Sequence, residues 1–385
     1  MNTRYISLVL ITFILALFYI YLVFIDVRPF YLTLVTDIEA DYYYNSKLMF
    51  NGSPPVTLVH PGFPVFWIGG MIFELFESTR SIQNTQLFFN ISYGVIFLTT
   101  LFSFWYFVLN VIKDIKVNVA FLAIVSILIW PPFIFYFNRF GADAFILPVT
   151  LMSFSILWKI LGSYDTNTNT LRLCGLFLGL GLAIKFSTLL SIAIVVFVSS
   201  LHIFLSNLTQ KQKIIYLKTI PLWTLLSFLI FMLPGFYRWP QVLNKFYILI
   251  SSGDLLKFSN HGISMIYVNS IMFFLIGIFT ISIYFFLSKK YFRNAVSIII
   301  DSSSEDTNTI NKKGFDDFSA SIFILFLLLS FIALVAIIPS PGDYSGISPF
   351  YKLRNASPAA LFLPFMIIHL NKIYSGPRKR ALFYD

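Results

Sequence analysis

Apolar runs long enough to cross a lipid bilayer recur along the whole of this sequence, and that recurrence decides what it can fold into. A helix needs about 20 consecutive, mostly apolar residues to traverse the hydrocarbon core. Candidate spans lie at 5–25, 87–112, 117–137, 144–161, 173–184, 186–205, 219–237, 263–288, 318–340 and 356–373. Apolar residues are 58% of the chain and charged residues 11%, against roughly 45–50% and 25% in soluble domains. A soluble core has no use for so much apolar surface, whereas lipid does. The alternating pattern of a membrane β-barrel is absent. The predicted fold is therefore all-α and polytopic, with about ten transmembrane helices, because only helices and closed barrels satisfy their backbone in lipid.

Charge placement orients the chain. The net charge of +10 suggests basic cytoplasmic loops rather than a nucleic-acid partner. The fifth and sixth runs are separated only by Lys185, so they are either two spans or one long helix with a buried lysine. With two spans and the N-terminus inside, 17 of the 27 Lys and Arg are cytoplasmic. With one span the count falls to 10 inside and 16 outside, with Lys185 in mid-membrane. The positive-inside rule and the cost of a buried charge both favour two spans. The first run, Tyr5 to Ile25, is too long for a signal-peptide core and lacks a cleavage site after it, so it reads as an anchor. A single membrane domain over 1–373 then carries a basic cytoplasmic tail at 374–385. Residues 289–317, with Asp301-Ser-Ser-Ser-Glu305-Asp306, form a polar cytoplasmic linker. The single cysteine, Cys174, excludes disulfides and cysteine-based metal sites within one chain.

On the outer face the longest segment is 26–86. It reads Asp37-Ile-Glu39-Ala-Asp41-Tyr42-Tyr43-Tyr44-Asn45 and later His60-Pro61-Gly62-Phe63-Pro64. Three acids at alternate positions stand out in a chain with 17 acids. A helix beginning near Asp37 can be capped by it, and Asp37 and Asp41 then share a face at i,i+4. Two close carboxylates raise one pKa, which suits a general base; a solvated acidic helix start is the plainer alternative. The stretch Val65–Phe76 is apolar but short for a span, and an interfacial helix anchored by Trp67 fits it. The first loop thus reads as a structured extracytoplasmic unit containing interfacial helices. The remaining outer charges sit at helix ends: Arg139, Asp143, Lys185, Arg238, Lys352 and Arg354. A lone basic residue there is ordinarily a snorkelling anchor; several beside an acidic loop form a site for an anionic lipid headgroup. His202 and His369 lie in apolar spans and read as packed helix residues. The Asn-x-Ser sequons at Asn51 and Asn355 carry no weight alone.

These motifs, in this order and on one face, resemble the GT-C superfamily of membrane glycosyltransferases, especially bacterial relatives of protein O-mannosyltransferases and of the aminoarabinose lipid A transferase. Glu39-Ala40-Asp41-Tyr42 resembles the family's acidic pair before a Tyr, although here Ile38 separates Asp37 from Glu39. His60-Pro61-Gly62 resembles a basic-residue-Pro-Pro step, with His where several relatives have Lys. Asn138-Arg139-Phe140-Gly141-Ala142-Asp143 is similar to an Arg-x-x-x-Asp/Glu step. Gly175-Leu-Phe-Leu-Gly179-Leu-Gly181 through Lys185 is similar to a Gly-rich short helix ending in Lys, and Arg354-Asn-Ala-Ser-Pro358 to a last Arg-x-x-x-Pro motif. The large outer C-terminal domain of many relatives is missing, so acceptor recognition does not transfer.

The resemblance implies a glycosyltransferase with a polyprenyl-phosphate-sugar donor and a hydroxyl acceptor on a glycan, lipid or protein. It places the protein in a bacterial inner membrane with the active site facing the periplasm or exterior. Catalysis falls to Asp37, Glu39 and Asp41. Contact with the donor phosphate falls to His60, Arg139, Lys185 and Arg354, with Tyr42, Asp143, Arg238 and Lys352 in support. Some enzymes of this type use a divalent metal, Mg or Mn; Asp37, Glu39 and Asp143 could hold one through oxygen ligands, and the sequence leaves the metal unknown. Two other classes compete. A transporter or flippase of a lipid-linked glycan needs no catalytic acid, but would place its charges nearer mid-membrane. A catalytically inactive GT-C-like scaffold would keep the fold without the chemistry.

Overall fold

The computed structural model describes residues 3–21, 38–53, 62–75, 82–112, 115–130, 140–163, 167–185, 209–233 and 360–375, with isolated positions between 188 and 203 and between 324 and 328. Among these residues the chain is helical throughout, with no strand. The principal helices are α1 (Thr3–Ile20), α2 (Ile38–Phe50), α3 (Phe63–Leu75), α4 (Ile82–Asn110), α5 (Val117–Leu128), α6 (Ala142–Ser163), α7 (Thr168–Ile184), α8 (Gln210–Met232) and α9 (Phe362–Ser375). Segments of α4, α6 and α8 are long and apolar enough to cross a membrane; α1, α3, α5, α7 and α9 contain shorter apolar helices. The protein is an integral membrane protein. The expected span at 263–288 lies outside the described residues, as does all but three positions of that at 318–340.

The helices are amphipathic in the sense that suits lipid. On α1, Tyr5, Val9, Phe13, Leu17 and Tyr21 recur every four residues and are exposed, while Ile11 and Leu15 are fully buried. Both stripes are apolar; one faces the bundle and the other is left for acyl chains. Hydroxyls on the helices turn back to the backbone: Ser92 Oγ donates to the Phe88 carbonyl at 2.8 Å and Thr224 Oγ1 to that of Ile220 at 2.8 Å. Such bonds let polar side chains sit in a bundle without an unmet donor.

Neighbouring helices show their direction through their contacts. Trp105 Nε1 of α4 donates to Thr12 Oγ1 of α1 at 3.1 Å, and Phe97 meets Tyr19 with ring centroids 5.3 Å apart. Rising numbers on one helix meet falling numbers on the other, so the pair is antiparallel. The helices α6 and α7 form a second antiparallel pair, joined by a short connection at 164–167. Gly181 there faces Val149, where a Cβ would stand 3.6 Å from Cγ1.

The helices α7 and α8 differ. A Cβ on Gly175 would lie 2.7 Å from the Ile220 carbonyl oxygen and 2.7 Å from Trp223 Cβ; on Gly179 it would collide with the Thr224 carbonyl oxygen and crowd Ser227. Four residues onward on one helix match four onward on the other, so the two run parallel. The Gly-x-x-x-Gly spacing lets the backbones touch, and Ser227 Oγ donates to the Leu176 carbonyl across the interface at 2.8 Å. Parallel neighbours require the connecting chain to travel back the length of a helix, about 25 Å for the 17 residues of α7. In that connection Ile192, Val196, Phe197, Ser200 and Ile203 are helical. Lys185 therefore ends α7.

Some boundaries differ from expectation. The helix α5 stops at Leu128, with Ile129 as its cap; residues 131–137 of the expected span lie outside the described residues. Pro131 and Pro132 follow: proline lacks the N–H to continue a helix and biases the residue before it away from helical geometry. The helix α8 starts at Gln210 rather than 219. A capping box explains the early start: Gln212 N donates to Thr209 Oγ1 and Thr209 N to Gln212 Oε1. Lys211, Lys213 and Lys218 thus lie on the helix rather than before it.

Candidate functional site

The first loop is held on the bundle by aromatic packing. The helices α2 and α3 lie parallel, with Tyr42 against Phe66 and Phe50 against Phe73. Gly69 lies directly against the Ser46 side chain, with no room for a Cβ. Tyr43 meets Phe73, Phe88 and Phe89, with centroids 5.1, 5.1 and 5.8 Å away, which ties both loop helices to α4. Phe140, just before α6, closes the cluster against Phe88 at 5.3 Å and Tyr42 at 6.4 Å. Trp67 is 43% exposed, as suits an interfacial anchor.

Along α2, Tyr42, Asn45 and Ser46 are buried, while Asp41, Tyr44 and Lys47 are exposed. Asn45 Nδ2 and Ser46 Oγ each donate within the helix, to the carbonyls of Asp41 at 2.7 Å and Tyr42 at 2.6 Å. Glu39 lies in the first turn of α2. Its position falls three residues before Tyr42 and seven before Ser46, on the face of the helix that those residues bury. Asp41 occupies the exposed side.

The centre of the site is a buried ion pair. Asp143 is in the first turn of α6, and Lys185 is the residue that caps α7. Lys185 Nζ stands 2.5 Å from Asp143 Oδ1, with side chains only 7% and 6% exposed. The hairpin α6–α7 brings these residues together from 42 positions apart. A carboxylate in the first turn of a helix is also favoured by the helix dipole. Lys185 is thus buried and paired, rather than snorkelling alone at a helix end.

Lys185 has extended backbone, φ −159° and ψ 128°, so the helix breaks there. Its N–H still donates to the Gly181 carbonyl at 3.0 Å, and its own carbonyl accepts from Thr188 N at 3.1 Å and Thr188 Oγ1 at 2.7 Å. The break leaves the Ile184 carbonyl without a partner within the helix. Gly62 N of the first loop donates to it at 3.1 Å. Gly62 is also pressed against Tyr42: a Cβ there would lie 2.6 Å from the ring edge and 2.6 Å from the hydroxyl oxygen. Glycine is required by close approach, and no other side chain fits without moving Tyr42.

The structure therefore brings together Tyr42, Gly62, Asp143 and Lys185, which are widely separated in sequence. Of the other expected site residues, Glu39 is placed by its backbone and Asp41 by its exposed side chain. Asp37, His60, Arg139, Arg238, Lys352 and Arg354 lie outside the described residues. Among the described residues no group of three His, Cys, Asp or Glu side chains could hold a metal ion. Asp143, one of the three expected oxygen donors, meets the Lys185 ammonium group. Reasoning from sequence had no signal for the Ile184 carbonyl, because any residue supplies one. It noticed Gly62 only as a turn. His369 is buried beside Trp158, with ring centroids 6.2 Å apart, in the packed position expected of it.

No known family profile and no curated protein matches the chain. Among solved structures, the chain is similar to ArnT from Cupriavidus metallidurans bound to undecaprenyl phosphate. The identity is 11%, the match covers 96% of this chain and 78% of that one, and the TM-score is 0.37.

Proposed function

We propose that this protein is a GT-C-type glycosyltransferase, which moves a sugar from a polyprenyl-phosphate donor to a hydroxyl acceptor at the outer face of the membrane. The observation that carries this reading is convergence. The acid-bearing helix α2, Gly62, the start of α6 and the Lys-capped end of α7 meet at one end of the bundle. An acidic loop beside basic helix ends, the arrangement expected from the sequence, suits a substrate that is a phosphate on a lipid. The reading extends to the bacterial inner membrane, with the site facing the periplasm or exterior.

The chemistry is one inverting displacement. A first-loop carboxylate, Asp37 with Glu39 as its rival, accepts the proton of the acceptor hydroxyl. The freed oxygen pair forms the new bond to the anomeric carbon. The bond from that carbon to the phosphate oxygen breaks, and its electron pair leaves on the polyprenyl phosphate. His60, Arg139, Lys185 and Arg354 supply positive charge where that negative charge accumulates. Asp143 fixes the position of Lys185, Tyr42 shapes the loop, and Arg238 and Lys352 add to the basic rim.

The test is to incubate purified protein with a panel of polyprenyl-phosphate sugars and a hydroxyl acceptor, and to follow release of the lipid phosphate. Release with at least one donor supports the reading. Binding without release, accompanied by movement of the lipid between leaflets of a vesicle, would replace the enzyme with a flippase. Neither release nor movement would leave an inactive scaffold.

A further inference from the structure

The Asp143–Lys185 pair does more than neutralise two buried charges. Its position decides what the chain next to it can offer. Lys185 interrupts the helix, so the Ile184 carbonyl finds no partner within α7. That carbonyl is the acceptor for Gly62 N at 3.1 Å. Gly62 in turn meets the ring and hydroxyl of Tyr42, and Tyr42 belongs to the helix that carries Glu39 and Asp41. A short chain of contacts therefore runs from the buried ion pair to the acidic helix. On the far side, Phe140 of the segment leading to Asp143 packs on Tyr42. Both partners of the pair thus lie within three residues of a group that touches the first loop.

We propose that Asp143 and Lys185 are positioning residues: the pair holds the break between α7 and the next helix so that the Ile184 carbonyl and Phe140 dock Gly62 and Tyr42, and through them set the acid-bearing helix α2 on the bundle. A surface ion pair would be too weak for this. A buried pair is different, because removing one partner strands the other charge away from water. The pair therefore resists separation, and the backbone at Lys185 is held with it. The proposal rests on the glycosyltransferase reading only for what α2 does once docked. The docking itself does not depend on it.

Hydrogen exchange of the full-length protein in lipid nanodiscs tests this without an assay of turnover. Asp143→Asn with Lys185→Gln removes both charges and strands neither. In this double variant, amides of 38–53 and Gly62 should exchange about tenfold faster, the effect of losing local stability worth one hydrogen bond. Amides of α4 and α8 should keep wild-type protection. Lys185→Arg, which keeps the charge, should restore most of the loop protection. Gly62→Ala should release the same segment with the pair intact, because its Cβ has no place beside Tyr42. Wild-type loop protection in the double variant would overturn the proposal. Loss of protection throughout the molecule would also overturn it, because the pair would then support the whole bundle and not the loop. If exchange behaves as expected and no polyprenyl-phosphate sugar is turned over by the wild type, the docking stands and the enzymatic reading falls. Where turnover is measurable, the double variant should lower kcat more than it raises KM for the donor.

Discussion

Single residues carry the chemistry and the sharpest energetic cost. A general base contributes about 10²–10⁴-fold to rate, so Asp37→Asn should lower turnover by that much with expression intact. Glu39 is the rival, because the register of α2 puts its position on the face that Tyr42 and Ser46 bury. If Asp37→Asn keeps more than about a tenth of wild-type turnover, below the range for a base, and Glu39→Gln is dead, the role moves to Glu39. Asp41→Asn, on the exposed side, should be the mildest of the three. Lys185→Met makes a different prediction. It leaves Asp143 buried without its ammonium partner, and breaking such a pair costs about 3–5 kcal/mol. Thermal unfolding in detergent should show a large drop for Lys185→Met and a smaller one when Asp143→Leu is added, because the second change removes the stranded charge.

At the level of elements, the α7–α8 interface is the most constrained. Lipid provides no hydrophobic drive to bring helices together, so close backbone packing has to supply it. Gly175 and Gly179 allow that approach, and Ser227 seals it with a bond to Leu176. Gly179→Leu would place a side chain where the Thr224 carbonyl lies. Overpacking costs about 1–3 kcal/mol where side chains can yield; here the obstacle is backbone, so the cost should reach the top of that range. Reduced recovery of folded protein on size-exclusion chromatography is the expected outcome, and a wild-type elution profile would mean that the helices can separate at no cost. The capping box at Thr209 makes a milder prediction: Thr209→Ala should cost about 1 kcal/mol, readable as a small fall in melting temperature.

For the whole molecule, the prediction concerns the ten-span reading, with two crossings around Lys185. That is the arrangement in which 17 of the 27 basic residues are cytoplasmic. Both termini and the 289–317 linker should then face the cytoplasm. A membrane-impermeant thiol reagent on intact cells should fail to label Ser303→Cys, in a background where Cys174 is replaced, and should label it once the membrane is opened. Labelling in intact cells would mean an inverted chain or an odd number of crossings downstream.

The class of this protein was legible without a structure, because hydropathy acts locally: a run such as 87–112 belongs in lipid whatever its neighbours are. The special status of Lys185 was legible too, since a charge between two apolar runs has to end one of them. The same holds for the helix around Trp67, an apolar run too short to span. What only the tertiary structure decided is which groups meet. The pairing of Lys185 with Asp143 depends on the α6–α7 hairpin closing in one register. The parallel seating of α7 on α8 depends on two glycines finding the Ile220 and Thr224 carbonyls. The bond from Gly62 to Ile184 joins backbone groups that every residue possesses, so no residue type announces it. Contacts of this kind are settled by how rigid helices fit against one another, and that fit is a property of the assembled bundle rather than of any stretch of its sequence.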